Sequence, residues 1–529
     1  MKRINHMTVW VLMMGLLFCG ARMRAAGQYK KVSREAMVDI VDGRYSDAID
    51  GALRYLEANA SDLESMYVLA VAHANQGQID AAMQYVTRAV NGGMPLGRFL
   101  AGPRDLLEPL TSSEQFKLLR RNHPVQLLHG PMIGCLTDHS AKFWVRTAEQ
   151  VRVNVRVRPT DSEGRLAVAT GHTSEKQDYT AILAVDGLRA DTRYAYELLV
   201  QGDSEAVKGV FRTAPRAHEP ATFTIGFGGG AGFTPQYERM WNTINGRDPL
   251  AFLFLGDNVY IDNPTRPAVQ QYCYYRRQSR PEYRKFIGST GIYAIWDDHD
   301  FTTNDAGGGP EIRRPEWKIP VWHVFKQNWV NPSYAGDSED QPGCWFDFYI
   351  ADVHFIMLDC RYYRTKARVE HPSMLGPVQL DWLFETLKSS KGNLIVLASS
   401  VPWAYGAKPG SLDPWQGYKE ERRKIFSFLS DNRIEGVVLI SADRHRSDLW
   451  KIERPDGYPL YEFESSKLTN IHTHGIMKGS IFGYNDKCSF ARLEFNTTLS
   501  DPELTYTIIS IDDEVIHDFT VKKSHLCHK

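Results

Sequence analysis

The sequence predicts a multidomain protein whose body is an α/β sandwich, preceded by an all-β sandwich and a short all-α module. Three observations predict it. Near-continuous apolar runs, Ala251 to Leu255, Leu394 to Ala398 and Val437 to Ile440, alternate with helical stretches such as Gln379 to Lys388 and Lys419 to Leu429. That pattern belongs to strands buried on both faces between layers of helices. Between Pro124 and Pro215 the texture changes to short runs of alternating apolar and polar side chains separated by turn residues. Ahead of both, Gly43-Arg44-Tyr45-Ser46-Asp47-Ala48 and Gly77-Gln78-Ile79-Asp80-Ala81-Ala82 repeat at a spacing of 34 residues. A chain of 529 residues suits about two to four domains.

The first 26 residues stand apart from the fold. Lys2, Arg3 and His6 precede the apolar run Val9 to Phe18, and small residues Ala21, Ala25 and Ala26 follow, the layout of a secretory signal. Cys19 raises a lipoprotein reading, but bulky Phe18 sits where a lipobox wants a small residue, so cleavage near Ala26 is the expectation. The implied location is periplasmic or extracellular. Membrane association would require lipidation at Cys19. Beyond it lie Cys135, Cys273, Cys344, Cys360, Cys488 and Cys527, without CxxC or zinc-type spacing, expected as buried thiols with one bridge at most. Basic and acidic residues number 62 and 63, a net charge of -1, which supports no nucleic-acid-binding surface.

Residues 33–120 read as a tetratricopeptide-like pair of helical hairpins, since 34 residues is the period of that repeat. Ala52, Tyr55 and Leu56 have counterparts in Val86, Ala89 and Val90. Two repeats cannot bury a solenoid core alone, so this module is expected to dock on its own chain or on a protein partner. Residues 125–215, with strands Ala141 to Thr147, Val151 to Val157, Tyr179 to Val185 and Thr192 to Val200, suggest an immunoglobulin- or fibronectin-like sandwich. The α/β body spans 220–475, and 488–522 reads as three antiparallel strands completing a sheet edge.

The chemistry concentrates at the ends of three apolar strands. AFLFL runs into Gly256-Asp257-Asn258, YAIW into Asp297-Asp298-His299-Asp300, and VVLI through Ser441-Ala442 into Asp443-Arg444-His445. Carboxyl ends of strands are where α/β proteins keep their sites. Bringing Asp257, Asp298 and Asp443 together without a cation would be costly, because like charges raise one another's pKa and each loses hydration. Oxygen-rich surroundings with one or two nitrogens favour hard cations such as Ca²⁺, Mg²⁺, Mn²⁺ or ferric iron over a thiolate zinc site. A pair of such ions would polarise a phosphoryl oxygen and acidify a bound water. Arg361 and Arg364 are candidates to fork onto an ester's phosphate, with structural ion pairs as the competing reading. Asn258 and Arg444 are further substrate-binding candidates. His472 and His474 in NIHTHG alternate like ligands, although loop histidines are usually solvated. Trp403, Trp415 and Tyr418 read as core aromatics first and entrance lining second, and His354 as packed in a sheet.

GDNVY at 256–260, WDDHD at 296–300 with Asn304 beyond it, and ADRH at 442–445 resemble the motif set of the alkaline phosphatase D (PhoD-like) family of metallophosphoesterases. GPMIGCLTDHSAKFWVRT from Gly130, LDCRYYR from Leu358 and DPWQGYKEER from Asp413 are similar to intervening stretches of that family. The resemblance covers roughly residues 125–520 and implies a calcineurin-like double sheet (αββα) with a dinuclear site that hydrolyses phosphate esters. It implies Asp257 as the bridging ligand, and Tyr260, Asp298, Asn304, Asp443 and His445 as further ligands. His299 would protonate the leaving alkoxide, and the nucleophile would be a metal-bound hydroxide. One departure stands out. Where the family commonly has a cysteine iron ligand, this chain reads Phe227-Gly228-Gly229-Gly230-Ala231-Gly232, with Gly230 in the cysteine's place. Iron is thereby put in question, and calcium is the leading metal, with Fe³⁺, Mn²⁺ or Mg²⁺ as alternatives. The expectation is a metal-dependent phosphomonoesterase or phosphodiesterase. The competing expectation is a binding protein on the same scaffold, whose repeats recruit a partner.

Overall fold

Three stacks of strands and a helical module make up the computed structural model, which describes residues 32–161 and 165–529. The expected signal sequence over 1–26 lies outside the described residues. The all-β region supplies β1 (Leu127–Gly134), β2 (Ser140–Thr147), β3 (Arg152–Pro159), β4 (Ala167–His172), β5 (Thr180–Asp186), β6 (Arg193–Val200) and β7 (Val207–Arg212). The body follows with β8 (Thr222–Gly228), β9 (Ala251–Leu255), β10 (Gly291–Ile295), β11 (Phe346–Ile350), β12 (Val353–Met357), β13 (Leu394–Ala398) and β14 (Val437–Ser441). It ends with β15 (Ser447–Ile452), β16 (Leu460–Ser465), β17 (Phe482–Tyr484), β18 (Ser489–Asn496), β19 (Glu503–Ser510) and β20 (Val515–Lys522).

A nine-stranded sheet runs in the order β20-β19-β18-β8-β9-β10-β1-β2-β5, and a seven-stranded sheet in the order β11-β12-β13-β14-β16-β15-β17. β8, β9 and β10 are parallel neighbours, with Ala251 opposite both Ile225 and Gly291. β12, β13, β14 and β16 are likewise parallel. AFLFL of β9, LIVLA of β13 and VVLI of β14 are apolar because these strands are buried on both faces. The sheets face each other through aromatic contacts: Tyr293 stacks on Phe348 at 3.9 Å, Phe463 on Tyr506 at 4.7 Å, and Phe355 meets Phe495 edge-on at 5.8 Å. Such ring pairs add stabilisation beyond the area they bury, on the order of 1 kcal/mol each. Helices cover the outer faces. Phe286 of the helix Pro281–Ile287 lies edge-on to Phe252 of β9 at 5.4 Å. On the other side, Phe384 of Gly376–Ser389 stacks on Phe428 of Lys419–Asp431 at 4.3 Å. The body is thus an αββα sandwich, and the strands over 488–522 occupy one edge of the larger sheet.

The all-β region differs from a self-contained sandwich. β4-β3-β6-β7 form their own sheet, but β1, β2 and β5 belong to the nine-stranded sheet of the body. The junction is a parallel ladder, Ile133 opposite Gly291 and Gly134 opposite Ile292, so backbone hydrogen bonding continues from one region into the other.

The amino-terminal helices, over 32–41, Tyr45–Ala58, Leu63–Asn75 and Ile79–Asn91, dock on their own chain. Gly43 and Gly77 each turn between helices with φ of 77°, a conformation only glycine adopts without strain. The Tyr272 hydroxyl donates to Glu64 at 2.7 Å, and the Arg98 guanidinium lies 3.9 Å over the Tyr67 ring and 5.0 Å over that of Tyr272. Arg266 pairs with Asp42 at 3.0 Å. Cys135, Cys273, Cys344, Cys360, Cys488 and Cys527 are free thiols, so the one bridge allowed for is not formed among the described residues. Trp403 and Trp415 stack at 4.2 Å in the core, and His354 is held between Asp347 and Ser390.

Candidate functional site

The carboxyl ends of strands from both sheets meet at one place, and the backbone there is unusually strained. Asp257, Tyr260 and Asp262 after β9, and Asp443 and His445 after β14, have positive φ of 53°, 55°, 55°, 74° and 49°. Left-handed backbone is uncommon for residues other than glycine, costs of order 1 kcal/mol or more each, and gathers where geometry serves a site. Gly256 is demanded for another reason, because a Cβ there would lie 2.4 Å from that of Asp297. β9 and β10 deliver their carboxylates side by side only because this glycine lets the two turns touch.

Asp257, Asp298 and His299 each place one ligand atom within 4.8 Å of the others. Asp257 is buried, and its Oδ1 has no hydrogen-bond partner. Burial pushes the Asp257 carboxyl well above its ordinary value, with the neighbouring His299 opposing. Burial would also raise Asp298, but Arg361 and His299 outweigh it and hold that carboxyl low. A buried, unpaired carboxylate oxygen beside a second carboxylate is a costly arrangement that a multivalent cation relieves. On the other side of Asp257, His445 Nε2 lies 3.8 Å from its Oδ2 and 2.8 Å from the Tyr260 hydroxyl, to which Asn470 Nδ2 donates at 2.5 Å. Tyr260 and His445 therefore stand close to Asp257. Asp443 takes a different neighbour. Its carboxylate meets Lys408 Nζ at 3.1 Å, and Asp443 is raised by burial with Lys408 opposing. Asn304 lies exposed in the loop after the helix Asp298–Phe301, where the neighbouring Asp305 N–H donates to Asp298 Oδ2 at 2.6 Å.

His299 is held from behind. Its Nδ1 is 2.5 Å from Asp262 Oδ1, and its ring stacks on Tyr260 at 4.7 Å. Burial disfavours the imidazolium, but Asp257, Asp298 and Asp262 prevail and lift His299 to about 11. Asp262 in turn pairs with Arg34, whose Nη1 also donates to the Tyr260 carbonyl at 3.0 Å. A residue of the amino-terminal helical module thus reaches the site.

Beneath these groups lies a buried charge network. Arg361 donates to Asp297 Oδ1 at 2.5 Å and Asp413 Oδ1 at 2.7 Å, and Arg364 Nη1 lies 2.7 Å from Asp413 Oδ1. Both guanidiniums are buried; Arg361 is held by the Asp297 and Asp413 carboxylates, and Arg364 by the Tyr418 hydroxyl, the Asp413 carbonyl and the Asp413 carboxylate, so both hold the floor of the site. Asn258 also turns inward, its amide donating to the Ile295 carbonyl at 2.9 Å and to Asp300 Oδ2 at 3.0 Å. Asp300 accepts as well from the Asn258 and Val259 N–H groups, and burial lifts it to about 6 against those bonds. Arg444 is buried at the margin, with Nε donating to the Ala407 carbonyl and Nη1 3.9 Å from Asp443. Sequence reasoning missed Arg34, Asp262, Lys408 and Asn470. Asp262 alone left a trace, as one more acid beyond GDNVY.

A second cluster forms where the sequence offered only alternation. His445, His472 and His474 each place one ring nitrogen within 4.8 Å of the others. At Gly230, φ is 65°, and a Cβ would lie 1.9 Å from the Ser466 carbonyl oxygen. A cysteine cannot stand there unless the backbone moves.

A family model described as PhoD-like phosphatase matches residues 225–510, and one described as a domain of unknown function (DUF7800) matches residues 124–216. Alkaline phosphatase D of Bacillus subtilis (strain 168) is 30% identical over 112 residues, 18% of this chain and 19% of that protein. The matched stretch thus spans about a fifth of the length of that curated relative. A solved structure titled "Structure of PhoD" superposes with a TM-score of 0.65 at 15% identity, covering 76% of this chain and 91% of the other. A purple acid phosphatase from yellow lupin (Lupinus luteus) seeds superposes at 0.55 and 12% identity, covering 77% and 76%. These two likenesses establish a shared fold. Because the PhoD-like model spans more than half of its residues and the strand-end motifs fall inside the match, this chain belongs to the PhoD-like phosphatase family.

Proposed function

We propose that this chain is a metal-dependent phosphoester hydrolase, a phosphomonoesterase or phosphodiesterase. The observation that carries the reading is the buried Asp257 oxygen without a partner, set among Asp298 and His299 within 4.8 Å. Asp257 and Asp298 would hold a hard cation such as Ca²⁺, and Asp257 with Tyr260 and His445 a second, with Asp443 and Asn304 as further ligands from the same face. When bound, such cations polarise a phosphoryl oxygen and lower the pKa of water. The protein's own groups do the rest. Arg361 and Lys408 neutralise part of the carboxylate charge from below, at Asp297, Asp413 and Asp443, and so keep the acidic cluster from repelling an anionic ester. His299, fixed by Asp262 through Nδ1, has its other nitrogen for a leaving alkoxide. Arg444 stands at the margin as the remaining cation for the ester's phosphate.

Among the described residues no helix is long and apolar enough to cross a membrane. An export signal over residues 1–26 would put this activity outside the cytoplasm. The test is hydrolysis of chromogenic phosphomonoesters and phosphodiesters by the wild type, Asp257→Ala and Asp443→Ala, with folding followed by circular dichroism. Both variants should lose turnover by about a hundredfold or more while staying folded. Wild-type rates in folded Asp257→Ala would refute the reading.

A further inference from the structure

No role in the hydrolysis just described falls to His472 or His474, yet the fold builds their position with care. The segment after β16 runs along the glycine turn after β8. Gly229 N donates to the Ser465 carbonyl at 2.9 Å, Leu468 N to the Gly229 carbonyl at 3.2 Å, and Thr469 N to the Gly230 carbonyl at 3.4 Å. This approach needs a residue without Cβ at 230, since one would lie 1.9 Å from Ser466 O and 3.4 Å from His445 Cδ2. The glycine that removes the family's thiolate therefore also admits the segment that carries two imidazoles to His445. The loop is then pinned at both histidines. His472 N donates to Asn470 Oδ1 at 2.9 Å, and Asn485 Nδ2 donates to the His474 carbonyl at 2.8 Å. The His445 ring centre lies 5.2 Å from that of His472 and 5.4 Å from that of His474, which are 4.6 Å apart.

Neutral imidazoles suit borderline first-row divalent cations, zinc above all, whereas the carboxylates of Asp257 and Asp298 suit hard ones. The cations nearest the cluster each face carboxylates. Lys408 is ion-paired with Asp305, Asp413 and Asp443, Arg446 with Asp448 at 2.6 Å, and Arg444 lies 3.9 Å from Asp443. We propose that His445, His472 and His474 bind a divalent cation of the zinc class. This nitrogen-rich position lies on the Gly230 side of the centre, where the family's cysteine would stand. It deepens the hydrolase reading through His445, which lies 3.8 Å from Asp257, so the centre would hold two chemically different metals.

The test uses the full chain stripped of metal. Zn²⁺ affinity is measured by calorimetry, and Co²⁺ is titrated with visible absorption as the probe of nitrogen ligation. Wild type, His472→Ala/His474→Ala and Asp298→Ala are compared. His472 is exposed, so the double variant should fold, and circular dichroism checks it. The double variant should bind Zn²⁺ at least about tenfold more weakly and lose the cobalt absorption, while Asp298→Ala keeps both. Equal zinc affinity and an unchanged cobalt spectrum in the double variant would overturn the proposal. So would a wild type that binds neither ion. The hydrolase reading is judged separately by the turnover of Asp257→Ala, so either can fail without the other.

Discussion

Asp413→Asn is the sharpest test of how the floor of the site is held. Asp413 is buried and meets three cations: Arg361 at 2.7 Å, Arg364 at 2.7 Å and Lys408 at 3.0 Å. Arg361 would keep Asp297 at 2.5 Å, and Lys408 would keep Asp305 at 2.8 Å and Asp443 at 3.1 Å. Arg364 would keep only neutral company, such as the Tyr418 hydroxyl at 2.7 Å. Removing one partner of a buried ion pair strands a desolvated charge and costs about 3–5 kcal/mol. Equilibrium urea unfolding followed by tryptophan fluorescence measures it, with Arg364→Met and the double variant completing a cycle. The double variant should recover part of the loss, because no stranded guanidinium remains. The pH dependence has a definite sign. Burial opposes ionisation of Asp413, but Arg361, Arg364 and Lys408 prevail and hold its carboxyl well below the usual range. Its stabilisation is therefore complete above the unfolded value of about 3.9 and is lost as pH falls below that toward the folded value. The gap between wild type and variant should be flat from pH 8 to about 4 and shrink below. A loss under about 1 kcal/mol, typical of exposed pairs, would refute the account of a buried network.

Further predictions follow from the same contacts. Arg34→Ala and Asp262→Asn should slow hydrolysis of alkyl esters by about 10²-fold while sparing activated nitrophenyl esters, because a positioned acid matters most for a poor leaving group; equal losses on both substrates would remove His299 from that role. His129 is buried between Ser279 and Arg146, each 3.0 Å away, and burial first and Arg146 second hold it neutral, well below its ordinary value. The unfolded chain takes up that proton below about pH 6.5 and the folded chain does not, so stability should fall with acidification by up to about 1.4 kcal/mol per pH unit. His129→Gln should flatten that slope in urea titrations between pH 7 and 5. Gly230→Cys should lower the melting temperature by several degrees, since its Cβ would lie 1.9 Å from Ser466 O; an unchanged melting curve would show that the two segments separate freely. Chelation followed by dialysis should also lower the melting temperature, because a cation bound only by the folded state stabilises it.

Much of the architecture was legible because burial writes itself into composition. AFLFL, LIVLA and the VVLI run read as strands because a strand covered on both faces must be apolar at every position. β15, β16 and β17 were not anticipated, since polar and charged residues interrupt SDLWKI and LYEFES and FGY has only three residues, so none reads as a continuous apolar run. The merging of the all-β region into the larger sheet was equally hidden, since a parallel ladder between β1 and β10 leaves no mark in the side chains of either.

The sequence by itself determined which acids and histidines follow apolar strands, because those motifs are contiguous and the chain must turn where its apolar run stops. Asp257, Asp298, His299, Asp443 and His445 were all named in this way. Only the tertiary structure decided what each one faces. Of the two readings open for Arg361 and Arg364, ester binding and structural ion pairing, the ion pairs form because Asp413, some fifty residues away, arrives against them. Arg34 reaches the Asp262 that holds His299 from across more than two hundred residues, and His472 and His474 reach His445 because Gly230 has no side chain to keep their loop away. Adjacency along a chain is encoded locally, whereas these meetings depend on how whole sheets and helices stack, which no short stretch of residues specifies alone.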